Sequence, residues 1–269
     1  MTARPGKHLD NIAHGEISWP RSQYLHRIIS YTHMQLQRSL LLVIAVMEFC
    51  FVAAVRVNAG TIAGDVKFID SSPKAAPIKV TKDQDYCGET LPNETYLIDA
   101  NGGLKNVVVF IESAPTGKPA DPQKDNFLYN DGCRYAPHVM AFQRGERLRV
   151  KSNDPKLHIP HGYLRERTVF NLSLPFKNTI LDATSRIRQP GIIKVVCDTH
   201  AWMLGFVHVF DHPFFAVTNE QGAFLIPDLP PGNYVLKAWH EDAGIKSQEI
   251  VVTESSDVRV SFEFGKKQN

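Results

Sequence analysis

The chain has 269 residues, of which 43% are hydrophobic, so it can bury an ordinary core in one large domain or two modest ones. Its formal net charge is +2, but residues 1–59 hold six Lys/Arg against three Asp/Glu, which leaves the rest near −1. That balance excludes a basic surface built for nucleic acid.

Residues 1–33 are polar, contain four histidines and show no period. Arg38 then precedes an apolar run from Leu40 to Met47 that resumes from Phe49 to Val55, and Val57-Asn58-Ala59 offers the small residues that a signal peptidase reads. Residues 34–59 therefore have the layout of a secretory signal peptide. A membrane anchor is the rival reading, but Glu48 interrupts the run and Arg56 ends it, short of the about 20 clean apolar residues of a span. Met34 with Gln-Leu-Gln-Arg and the run makes a complete signal peptide by itself. Translation is expected to start there, with a disordered extension or a cytoplasmic tail as the alternative for residues 1–33. The mature protein is expected to begin at Gly60, to be periplasmic or otherwise exported, and to keep no membrane span.

From Gly60 the sequence reads as strands and turns. Ile62 to Phe68 alternates, and Val107 to Ile111 is a continuous apolar run suited to a strand covered on both faces. Val139 to Phe142, Leu148 to Lys151, Phe170 to Leu174, Ile192 to Cys197 and Phe206 to Phe210 follow, set off by Gly and Pro turns. No stretch carries a helical stripe for more than a turn or two. This is an all-β sandwich signature, placed at residues 60–210. After Asp211 a second, smaller set of five or so strands occupies residues 211–265, with Tyr234, Leu236 and Ala238 on one face of its longest member. A unit of that size is near the lower limit for a separate core, so it is expected to pack on the first.

The chemistry concentrates in Cys197-Asp198-Thr199-His200-Ala201-Trp202-Met203, a loop between two strands. A thiolate, an imidazole and a thioether within seven residues form a soft donor set that selects copper, whereas structural zinc sites favour more cysteines and no thioether. The set lacks one imidazole. Ser152 to His161, just past a strand, offers His158 and His161. An offset of three puts these two on opposite sides of an extended chain, so only one can face Cys197. Pro160 removes a backbone donor and is expected to take the chain out of the sheet, carrying His161 to the rim; the alternative is that a kink at Pro160 swings His161 inward. Trp202 is expected to pack over the site. His138, His208 and His240 read as strand or turn residues with satisfied nitrogens.

The Cys-x2-His-x2-Met loop is similar to the short ligand loop of amicyanin and resembles the cupredoxin, or blue-copper, family. A larger part of the chain, from about Gly60 onward, resembles bacterial periplasmic plastocyanin-like or methylamine-utilisation-type proteins. The matching pieces are Asp85 to Gly88, Asn101 to Val109, Cys133 to Val139, Cys197 to Met203, Leu229 to Tyr234 and Ala238 to Glu241. This resemblance implies a cupredoxin-like Greek-key β-sandwich followed by a small transthyretin-like, carboxypeptidase-regulatory-like β-sandwich. It also implies one copper ion, Cu(I)/Cu(II), held by His158, Cys197, His200 and Met203. Trp239-His240-Glu241 would be an inter-domain contact. One departure is that the family pattern has an asparagine after the first histidine, where it ties the two ligand segments, and this chain has Ile159. With Cys197 reserved for the metal, an exported protein leaves Cys87 and Cys133 to form a disulfide, the alternative being two free thiols.

No nucleophile–base pair, phosphate loop or carboxylate dyad stands out, so no enzyme activity is expected. The expected function is a one-electron carrier working with redox partner proteins. The alternatives are copper storage or delivery, and a metal-free adhesion or scaffold protein.

Overall fold

The structure, a computed structural model, describes His33, Leu36, residues 59–70 and residues 75–265. The expected signal peptide and the segment before it lie outside the described residues, apart from His33, Leu36 and Ala59. Among the described residues no helix is long and apolar enough to cross a membrane. Every element below belongs to the compact unit Val57–Asn269.

The unit is all-β. In chain order its strands are β1 (Gly60–Phe68), β2 (Ile78–Lys79), β3 (Thr90–Leu91), β4 (Val108–Glu112), β5 (Asp125–Asn130), β6 (Tyr135–Ala136), β7 (Val139–Gln143), β8 (Arg147–Ser152) and β9 (Pro160–Leu164), then β10 (Arg167–Asn171), β11 (Ile180–Asp182), β12 (Gly191–Cys197), β13 (Leu204–Phe210), β14 (Phe215–Val217), β15 (Ala223–Leu229), β16 (Gly232–His240), β17 (Gly244–Val252) and β18 (Asp257–Phe264). A single helical turn, α1 (Gln84–Cys87), lies between β2 and β3.

These strands build two sandwiches with separate cores. The first faces a five-stranded sheet, ordered β10-β9-β12-β13-β7, against a four-stranded one, β11-β8-β5-β6. Period-2 alternation sends Ile193, Val195 and Cys197 of β12, and Val207 and Val209 of β13, into its core with Leu128, Phe142 and Leu148. The second faces β15-β1-β18 against β14-β4-β16-β17 around Ile62, Val66, Val109, Ile111, Leu236 and Phe264.

The division expected after Asp211 is corrected by the pairing. β1 pairs with β15 and, in parallel, with β18, while β4 pairs with β14 and β16. Two strands assigned by position to the first sandwich are thus the inner strands of the second. Alternation tells a strand which faces it has, but not which distant strand it pairs with. The pairing does explain the continuous apolar run in β4. Val109 and Ile111 enter the second core, while Phe110 on the opposite face meets Phe210 of the first sandwich at 5.1 Å between ring centroids.

Pro160 also departs from expectation. It opens β9, which lies between β10 and β12, instead of taking the chain out of the sheet. A proline fits the first position of a strand, where a missing N–H costs no ladder bond, and Pro160 stands opposite Cys197.

The pairing has a consequence for fragments. Residues 211–265 expressed alone lack β1 and β4 and should remain unfolded, giving a disordered circular-dichroism spectrum and a collapsed amide proton NMR spectrum. A dispersed spectrum would contradict this assignment of strands.

Candidate metal centre

Cys197 ends β12, and the chain then turns twice. The His200 N–H donates to the Cys197 carbonyl at 3.3 Å and the Met203 N–H to the His200 carbonyl at 3.0 Å. Successive three-residue turns give the Cys-x2-His-x2-Met spacing its structural meaning. His158 arrives from the other side, in a short bridge to Leu174 that exchanges both backbone hydrogen bonds. His158 and His200 are 0% exposed, Met203 2% and Cys197 3%. Met203 shares the first core with Cys197.

Three donor atoms converge. His158 Nδ1 and His200 Nδ1 are 3.1 Å apart, and Cys197 Sγ lies 3.9 Å from the first and 3.8 Å from the second. Each imidazole is held at its far nitrogen by a carboxylate. His158 Nε2 meets Asp154 Oδ2 at 2.9 Å, and His200 Nε2 meets Asp83 Oδ2 at 3.0 Å. A carboxylate accepts, so each Nε2 carries a hydrogen, and while a ring is neutral its Nδ1 keeps a lone pair directed at the other. Two facing lone pairs beside a thiolate need a cation between them, either a proton or a metal. The triangle fits a metal: its edges are ones that a first-row ion with imidazole and thiolate bonds of about 2.0–2.3 Å can span.

The surroundings hold the sulfur as an anion. Burial alone would raise the Cys197 thiol, but hydrogen bonding with His158, His200, the Thr199 hydroxyl and the Ile159 N–H outweighs it and brings the group from 9.0 down to about 5. The Ile159 N–H reaches Sγ at 3.4 Å and the Thr199 hydroxyl lies 3.1 Å away. Burial likewise opposes ionisation of Asp154. The bonds from His158, from the Cys133 and Gly132 N–H groups and from the Tyr86 hydroxyl overcome it, holding that carboxyl at about 2. His158 is pushed down by burial, yet Asp154 and Cys197 leave it above its ordinary value.

Two hydrogen bonds tie the ligand segments, neither of them from the residue after His158 by its side chain. The Thr199 hydroxyl lies 2.9 Å from the Leu157 carbonyl and shares its single hydrogen between that oxygen and Cys197 Sγ, and the Asp198 N–H donates to the Ile159 carbonyl at 3.0 Å. His161 makes its contacts elsewhere. Its Nδ1 meets Asp198 at 3.2 Å and the Tyr163 hydroxyl at 2.8 Å, and its Nε2 meets Thr168 Oγ1 at 2.9 Å, all on the outer face of β9. Trp202 lies 5.0 Å from the His200 ring. Cys87 and Cys133 form a disulfide, and Cys197 is the free cysteine among the described residues. Cys133 Sγ, Asp154 and His158 also cluster, but that sulfur is already bonded to Cys87.

Asp83, Asp154, Tyr86 and Thr199 were not singled out in the sequence. Thr199 is the most legible of them, because it sits inside the ligand loop. Asp154 lies four residues before His158. Nothing local marks Asp83, which is 117 residues from the histidine it orients.

No protein-family model matches the sequence, and no curated protein matches it. Among solved structures, the chain is similar to a purple cupredoxin from Nitrosopumilus maritimus, at 17% identity and a TM-score of 0.28, over 33% of this chain and 100% of that one. It is similar to amicyanin from Paracoccus versutus at 17% identity and a TM-score of 0.27, over 38% of this chain and 97% of that one. A copper-containing nitrite reductase from Thermus scotoductus SA-01 matches at 13% identity and a TM-score of 0.27, over 54% of this chain and 28% of that one. At these values the likeness adds nothing to the chemistry of the site, which rests on the distances above.

The metal-free protein offers a direct check. Its ultraviolet thiolate absorbance should titrate near pH 5, and the midpoint should move toward 9 in His158→Ala. Because the folded value lies below the unfolded one, the stability contributed by Cys197 is complete above pH 9 and is lost as the pH falls through 5. The stability difference between wild type and Cys197→Ser should therefore narrow on acidification through that window. A wild-type midpoint near 9 would refute the hydrogen-bonded thiolate.

Proposed function

We propose that this protein is an exported copper protein that carries single electrons, with one copper ion held by His158, Cys197, His200 and Met203. The observation that carries the reading is the convergence of the Nδ1 atoms of two carboxylate-held imidazoles and a thiolate at 3.1, 3.8 and 3.9 Å in a buried core. Thiolate, imidazole and thioether together favour copper over harder ions. Copper supplies a one-electron couple when bound. The chain supplies a fixed frame. Asp154 and Asp83 set the tautomer and orientation of the two imidazoles, and the Ile159 N–H and Thr199 hydroxyl steady the sulfur. Met203 completes a donor set drawn wholly from protein, leaving no position for a substrate. A carrier therefore suits the site better than an enzyme, and its partners would be redox proteins. The Cys87–Cys133 disulfide favours an oxidising compartment.

Copper titration with visible spectroscopy tests the proposal. Copper-loaded wild type should show an intense thiolate-to-copper band, absent in Cys197→Ser. His158→Ala should weaken copper binding by more than the about 10–100-fold typical of losing an outer partner, and His161→Ala should change it by less. A colourless Cu(I) complex with no oxidised form would point to storage or delivery, and loss on His161→Ala with an unchanged His158→Ala would reverse the ligand assignment.

A further inference from the structure

Residues 78–91 form a small hairpin over the imidazoles. β2 and β3 pair through Ile78 with Leu91 and Lys79 with Thr90, and α1 occupies the tip. The tip is bonded covalently to the first sandwich through Cys87–Cys133. Beneath it Val80, Cys87 and Cys133 pack with Leu91 and Trp202 into a core of their own, and the Trp202 indole N–H donates to the Cys133 carbonyl at 3.1 Å. Trp202 is also the ring beside His200. The hairpin thus rests on the same loop that carries the candidate ligands.

Its tip reaches the outer side of both histidines. Asp83 takes the His200 Nε2 hydrogen, and the Tyr86 hydroxyl donates to Asp154 Oδ1 at 2.9 Å, the carboxylate that holds His158. Cys133, at the other end of the disulfide, donates its N–H to the same Asp154 at 2.9 Å. One covalent bond therefore joins the segments that bear on both orienting carboxylates. Asp83 sits at φ 52, a left-handed backbone that a non-glycine residue keeps only where its surroundings hold it. Lys156 latches the tip from outside, at 2.6 Å from Asp85 and 3.5 Å from Asp83. The Asp83 side chain is 27% exposed while His200 is 0% exposed, so along this direction a single carboxylate separates the imidazole from solvent.

We propose that the hairpin Ile78–Leu91 is a disulfide-held cap that positions His200 through Asp83 and governs uptake and release of the metal. This rests on the copper reading above. A hairpin that only covered the core would need apolar contact alone. This one places a carboxylate, in an unfavourable backbone conformation, on the far nitrogen of a candidate ligand. Asp83 is a positioning residue: it acts on the metal through His200.

The test is a chelator challenge of protein loaded with copper(II), following the thiolate-to-copper band with time. Asp83→Ala should speed release and weaken affinity by about 10–100-fold and shift the band, because an outer partner of a ligand histidine is lost. Asp83→Asn keeps an acceptor oxygen and should recover part of the effect, which a purely structural role would not predict. Cys87→Ser with Cys133→Ser should also speed release. Lys82→Ala, on the exposed surface of the cap, should release at the wild-type rate. Asp83→Ala keeps the disulfide, so it decides the matter if the double serine variant does not fold. A wild-type rate and band in Asp83→Ala overturn the cap proposal while leaving the copper site standing. Failure of wild type to take up copper at all overturns both.

Discussion

Two buried imidazoles face one another through nitrogens 3.1 Å apart, and a thiolate stands beside them. In a low-dielectric core that arrangement is unfavourable unless a cation lies between the donors. The rest of the site keeps it from relaxing. Asp154 and Asp83 hold the far nitrogens, so a ring that flipped to move its lone pair away would give up its carboxylate partner. Asp154 in turn is held by Tyr86 and by the N–H groups of Gly132 and Cys133. The donors are therefore preorganised, and charge is balanced by partners drawn from four separate stretches of chain.

The second sandwich contributes to this from a distance. Glu241, next to the end of β16, lies 2.5 Å from His138 Nε2, and His138 Nδ1 donates to the Leu204 carbonyl at 3.1 Å. Burial would lower His138, but Glu241 keeps it above its ordinary value, which favours the charged form of this link. Leu204 directly follows Met203, so the ligand loop leaves the site under a restraint set by the other sandwich. The outer face of β13 adds Phe206 and His208, whose rings pack on Trp239 at 5.2 and 4.3 Å. Within Trp239-His240-Glu241 it is Trp239 and Glu241 that bridge the sandwiches. His240 stacks on Tyr96 and accepts from the N–H groups of Asp242 and Ala243. Contrary to expectation, His208 Nε2 has no hydrogen-bond partner among the described residues, and burial lowers that ring to about 3, keeping it neutral among its aromatic neighbours.

Much of this was legible in the sequence for local reasons. Strand existence follows from period-2 alternation, as in β12 and β16. The ligand loop announces itself because its three donors are three residues apart, and one reverse turn per interval suffices to gather them. His158 and His161 are separable because side chains alternate in an extended segment. Pro160 misled because its effect depends on its place in the sheet: fatal to an inner ladder position, harmless at the first residue of a strand.

The sequence by itself determined the strand content and the chemical character of the donor set, and it favoured a disulfide between the two cysteines outside that set over free thiols. Each depends on residue type or on spacings of a few residues. Only the tertiary structure decided that β1 and β4 complete the distant sandwich, that Asp83 crosses 117 positions to orient His200, and that Thr199 supplies the tie between ligand segments. These are choices among many strands and carboxylates of equal local fitness. The choice is made by which long-range packing leaves no buried strand edge unpaired and gives each of the two facing imidazoles its acceptor.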